Sequence, residues 1–148
     1  MVNTHLQTLE QILQSHDLRG ALEFLNQQVS HRFTAIYRLN KDSMEIVELV
    51  DKLNDPSTAP LSRVPFSQSF CEIAVRDGSL VTSNSALEKR LDGATYQGIL
   101  ASYVGLPLMG STGVLFGSLC HYDYQKQPIS DDEFAFLQQA SVLLVPML

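Results

Sequence analysis

Residues 98–123, GILASYVGLPLMGSTGVLFGSLCHYD, decide how this chain is read. Two apolar runs flank the turn-like string Met109-Gly110-Ser111-Thr112-Gly113. The first, from Leu100 to Leu108, contains Tyr103, Val104, Leu106 and Leu108. The second, from Val114 to Tyr122, contains Val114, Leu115, Phe116, Leu119, Cys120 and Tyr122. Two strand-like runs joined by a short glycine-bearing connection read as a β-hairpin. A half-exposed strand alternates apolar and polar residues, and neither run does so cleanly. Both faces of the hairpin are therefore expected to be covered, at the centre of a sheet.

Outward from that hairpin, the whole chain of 148 residues is expected to be one domain, 1–148. Its 45% hydrophobic content is enough for one core. The formal net charge is −6, and the ten basic residues are scattered without a cluster. That excludes a phosphate-binding track for nucleic acid and disfavours an anionic membrane surface. The N-terminus, MVNTHLQTLEQ, has no basic segment followed by an apolar one, so no signal peptide is expected. No apolar run approaches membrane-spanning length. A soluble cytoplasmic protein is expected, with Cys71 and Cys120 reduced. Two cysteines are too few for a zinc site built on three or four of them.

Before the hairpin, Leu6, Leu9, Ile12 and Leu13 recur at helical spacing, one apolar stripe on an amphipathic helix. Ser15-His16-Asp17 interrupts it. The Asp17 carboxylate suits the cap of a second helix carrying Leu18, Ala21, Leu22, Leu25 and Val29. Phe33, Ala35, Tyr37 and Leu39 then alternate along a strand. The turn Asn40-Lys41-Asp42-Ser43 leads to a second strand, Met44 to Val50. The segment 54–65 contains Pro56, Pro60 and Pro65 and is expected to be irregular. Phe66, Phe70, Ile73 and Ala74 fall on one face of a helix expected over 66–76, stopped by Asp77-Gly78. Leu80-Val81-Thr82 is a short strand, and 83–97 reads as a short helix and a loop over the sheet. After the hairpin, Ser130 followed by Glu133 forms a capping box. The helix it opens carries Phe134, Phe136, Leu137, Ala140, Val142, Leu143, Leu144 and Val145, wider than one stripe, and is expected to be buried on two sides.

Four pieces, in this order and spacing, resemble a GAF domain. They are Phe70-Cys71-Glu72-Ile73-Ala74-Val75, Gly98 with Tyr103-Val104-Gly105-Leu106-Pro107-Leu108, Gly117-Ser118-Leu119-Cys120-His121-Tyr122-Asp123, and Ile129-Ser130-Asp131-Asp132-Glu133. The resemblance runs from about Leu18 to the C-terminus. It implies an α+β fold with a central antiparallel sheet of five or six strands. The N- and C-terminal helices would lie on one face, and the middle helix and loops over the other, with a small-molecule pocket beneath them. GAF domains are sensors of cyclic nucleotides, haem, bilins, 2-oxoacids and other metabolites, and pass a signal to an output domain. Here the chain ends with its last helix, so a stand-alone sensor signalling to a separate protein is expected.

The resemblance directs attention to Phe66, Ser69, Phe70, Ile73, Tyr96, Ser102, Tyr103, Cys120 and His121 as ligand-binding candidates. They supply apolar walls with a few polar groups, the usual make-up of a ligand site. Cys120 and His121 are neighbours on a strand, so their side chains point to opposite faces and at most one lines a pocket. The cofactor is left unknown. No covalent bilin is expected, because residues 83–97, SNSALEKRLDGATYQ, hold no cysteine. The same absence counts against the methionine sulfoxide reductases of the GAF family. Cys71 matches one of their cysteines, but the attacking thiolate belongs in that segment. A second reading is an interaction module with a filled pocket, dimerising through the stripe from Leu6 to Leu13 and the helix from Phe134 to Leu148.

Overall fold

The computed structural model describes residues 2–55, 63–67, 69–110 and 112–148. Helix α1 (Val2–Gln14) is followed by a turn in which His16 is left-handed, and Asp17 opens α2 (Leu18–Gln27) by accepting the Gly20 backbone N–H at 2.9 Å. Strands β1 (Phe33–Asn40) and β2 (Ser43–Asp51) form the first hairpin. A short strand, β3 (Arg63–Pro65), precedes α3 (Phe70–Asp77), and β4 (Leu80–Thr82) follows it. The hairpin of β5 (Ser102–Met109) and β6 (Leu115–Asp123) leads to α4 (Asp131–Leu144).

The six strands form one antiparallel sheet in the order β3-β2-β1-β6-β5-β4. The late hairpin is therefore placed slightly differently from expectation. β6 and β1 are the central pair, whereas β5 has on its outer side only the three residues of β4. Sequence patterning reports that a strand is covered above and below, not which strands flank it.

Two hydrophobic cores sandwich the sheet. On one face, Ile36, Val104, Leu106, Leu108 and Leu119 meet Leu9 and Leu13 of α1, Leu22 and Leu25 of α2, and Phe136, Leu137, Ala140 and Leu144 of α4. On the other, Phe33, Ala35, Tyr37, Cys120, Tyr122 and Tyr103 meet Phe70, Cys71, Ile73 and Ala74 of α3. This is the helix arrangement expected from sequence.

Four local expectations change. Helix α3 starts at Phe70 and not at Phe66, because Ser69 is its N-cap, its hydroxyl accepting the Glu72 N–H at 3.1 Å. Residues 63–65 are an edge strand, where Pro65 costs no ladder bond; 56–62 lie outside the described residues. The short helix expected over 83–97 is two 3₁₀ turns, Ser85–Leu87 and Lys89–Leu91. Helix α4 buries Phe136, Leu137, Ala140 and Leu144 on one side only, and Val142 on its outer side is 73% exposed. The capping box of Ser130 and Glu133 forms as expected, with both reciprocal bonds.

Candidate functional site

A cavity of about 30 Å³ lies between α3 and the sheet. Its floor is three tyrosines delivered by three strands: Tyr37, Tyr103 and Tyr122. Phe70 and Cys71 of α3 form its roof. Val64, Pro65, Ser69, Thr95, Tyr96 and Leu100 complete the wall. Pro65 and Thr95 are exposed, so the wall reaches solvent between β3 and the covering segment. A water needs roughly 10–15 Å³ of such space, so about two waters fill it.

The floor is held by ring packing and hydroxyl bonds. Tyr103 and Tyr122 are direct cross-strand partners, with ring centroids 6.4 Å apart and stacked. Phe33 stacks on Tyr122 at 5.0 Å, and Phe70 meets Tyr103 edge-on at 5.2 Å. The Tyr37 and Tyr122 hydroxyls are hydrogen-bonded at 2.7 Å. The Tyr103 ring folds back over Gly105, whose missing Cβ leaves the space it occupies. Cys71 Sγ lies 3.1 Å from Ser118 Oγ and 3.5 Å from Tyr103 Oη. Burial pushes the Cys71 and Cys120 thiols up, and pushes the three tyrosines well above their ordinary value. Every titratable group on the floor and roof is thus neutral near pH 7, and neither thiol is a ready nucleophile.

Of the nine candidates, Ser69, Phe70, Tyr96 and Tyr103 line this cavity. Phe66 is half-buried in the turn before α3. Ile73 lines a neighbouring cleft with Glu72, Arg90 and Asp92. Cys120 is buried in the same core, between Ala35 and Gly105, its thiol 3.7 Å from the Ala35 carbonyl oxygen, off the cavity wall. Ser102 donates to the Gln125 carbonyl at 2.7 Å. It neighbours Tyr103 on β5, so alternation alone puts it on the other face. His121 is on the other face too, as its adjacency to Cys120 requires. Sequence reading missed Tyr37 and Tyr122. Strand parity was the available signal, since Tyr122 shares a face with Cys120.

His121 belongs to a buried polar cluster at the other end of the sandwich. Its Nδ1 lies 2.6 Å from Thr34 Oγ1, which also accepts from Asn26 Nδ2 at 2.9 Å. Its ring stacks on His31 with centroids 5.8 Å apart. Lys52 Nζ contacts the carbonyl oxygens of Asn26, Val29 and His31 within 3.1 Å, and so closes the C-terminal end of α2. Burial lowers His31 to about 4 and His121 to about 3, so both rings are neutral at pH 7. Neither ring nitrogen of His31 has a hydrogen-bond partner among the described residues.

No family model and no curated protein matches this sequence. Solved structures do match its fold. The GAF domain of an Acinetobacter phosphoenolpyruvate-protein phosphotransferase superposes with a TM-score of 0.75 at 19% identity, over 99% of this chain and 94% of that one. This chain has the GAF fold. Two other structures with the GAF fold are similar to it. A free methionine-R-sulfoxide reductase from Neisseria meningitidis, in complex with its substrate, has a TM-score of 0.75 at 14% identity, over 99% of this chain and 87% of that one. The phycoerythrobilin-bound GAF domain of a cyanobacterial phytochrome has a TM-score of 0.70 at 15% identity, over 99% and 94%. Among the described residues, no helix is long and apolar enough to cross a membrane.

Proposed function

We propose that this chain is a regulatory GAF-fold module that binds a small molecule in the cavity beneath α3. The observation carrying this reading is the cavity itself, floored by three tyrosines and open at a rim of loop and edge-strand residues. Two structures sharing the fold hold a small molecule, a substrate in one and phycoerythrobilin in the other. The reductase chemistry is not carried over, because Cys71 is a buried, protonated thiol and the covering segment has no second one. A thermal-shift screen of metabolites tests the reading. A ligand that binds only the folded state raises the melting temperature with its concentration. If no compound does so, the module has no ligand and the reading fails.

The small volume favours a second reading, an interaction module with a filled pocket. The stripe of Leu9 and Leu13 is already packed on α4 within the chain, so a dimer would use the outer surface of that layer. That surface carries Val142, 73% exposed, and residues 134–148 contain no charged side chain. An uncharged patch suits contact with a second copy, since no like charges face each other across the two-fold axis. Sedimentation at micromolar concentration decides this reading, and a clean monomer removes it.

A further inference from the structure

The cavity wall identifies the kind of molecule it accepts. None of the described wall residues carries a charge; they are aromatic, aliphatic, hydroxyl or thiol side chains. The nearby charged side chains do not line it: Glu72, Arg90 and Asp92 line a separate cleft. Arg63 lies 3.5 Å from Glu45, and Arg90 pairs with Glu88 at 2.8 Å and Asp77 at 3.3 Å. The floor hydroxyls and thiols stay protonated, so the cavity supplies no ionic partner of either sign. A carboxylate, phosphate or ammonium entering it would lose its hydration and gain no counter-charge.

The wall also has a movable part. The Tyr96 backbone is fixed, its carbonyl accepting the N–H groups of Ile99 at 3.0 Å and Leu100 at 2.9 Å. Its side chain is half-buried, and its hydroxyl has no hydrogen-bond partner among the described residues. Tyr96 lines the 30 Å³ space, and its side chain can turn without breaking a backbone bond.

We infer that the cavity beneath α3 selects an uncharged, aromatic or aliphatic molecule, admitted by rotation of the Tyr96 side chain. This rests on the ligand-binding reading above. Matched probes test it: phenol against benzoate, and indole against indole-3-carboxylate, on the full chain at neutral pH. Melting temperature is one readout. The blue shift of indole emission on leaving water is a second, because the chain has no Trp to overlap it.

The neutral member of each pair is expected to bind at least about tenfold more tightly than its carboxylate. Tyr96→Ala, which enlarges the cavity, is expected to strengthen the neutral probes and leave the carboxylates unbound. Tyr96→Val carries the same comparison if Tyr96→Ala does not fold. Thr95→Phe, at the exposed rim, is expected to block both. Carboxylates binding as tightly as neutral probes overturn the selectivity but leave the pocket standing. A signal that persists in Thr95→Phe places binding elsewhere and overturns the inference. No binding of any probe, to wild type or to either Tyr96 variant, overturns the pocket reading and the inference together.

Discussion

The two faces of the sheet are built from the same strands but from different materials. The face under α1, α2 and α4 is chiefly aliphatic, its helices interlocking leucines with Ile36, Val104 and Leu119. The face under α3 is aromatic and sulfur-bearing, with three tyrosines, Phe33, Phe70 and two cysteines. Aliphatic side chains fill space in any direction and leave few voids. Flat rings held by stacking and by their hydroxyls leave gaps at their edges. The cavity therefore lies on the aromatic face, which the shorter α3 and irregular loops cover. One face holds the fold together, and the other can host a guest.

Substitutions can break that contrast, beginning with the strand both faces share. Gly117 lies on β6, opposite Arg38 of β1, and a Cβ there would run into the Tyr37 backbone carbonyl. Gly117→Ala is expected to cost on the order of 4 kcal/mol or more, enough to unfold a marginal domain. A folded, cooperative thermal transition in that variant would show that the β1–β6 seam is more yielding than its geometry indicates. Next in size, Leu137→Ala in the fully buried aliphatic layer is expected to cost about 3 kcal/mol in denaturant melts.

The histidine cluster makes an exception to the aliphatic face, and acid exposes it. The unfolded chain takes up protons near 6.5, whereas folded His31 does so only near 4 and His121 near 3. Stability is then complete above 6.5, falls as the pH drops toward 4, and levels below the folded values. The expected loss is on the order of 3 kcal/mol from His31 alone. His31→Phe should flatten that acid limb in melts taken across the pH range. An unchanged slope would mean that carboxylates, and not the buried rings, set the acid sensitivity.

The smallest effects belong to the tyrosine face. Tyr122→Phe removes the 2.7 Å hydroxyl bond to Tyr37 but keeps the stacked ring, and about 1 kcal/mol is expected. A loss as large as that of Leu137→Ala would erase the distinction between a framework face and a guest face. Cys120, buried off the cavity wall, is expected to react with a thiol reagent in the native state no faster than the chain unfolds. Rapid labelling of Cys120 would show that the α3 layer opens on its own.

Local chemistry was legible in the residues alone. The Asp17 cap, the Ser130–Glu133 box, both hairpins and the left-handed stop at Gly78 each depend on a few neighbouring side chains, and each forms where the sequence places it. The opposition of Cys120 and His121 followed from strand alternation. The same rule, applied to Ser102 and Tyr103, would have removed Ser102 from the candidates. The start of α3 was misjudged, because Phe66 continues the helical spacing although Ser69 is the cap that stops the helix from extending backwards.

The sequence by itself determined the fold class, the pairing within each hairpin and the coverage of the late hairpin on both sides, because these depend on periodicity and on contacts a few residues apart. Only the tertiary structure decided that β6 and β1 are the centre, that Tyr37, Tyr103 and Tyr122 converge on one floor, and that His31, His121 and Lys52 meet behind it. Those groupings join residues 19 to 90 positions apart across strands and loops, and no local pattern encodes which distant strand becomes a neighbour. Residues 98–123 announced a covered hairpin, and the fold made one of its strands the central partition between a packed face and a hollow one.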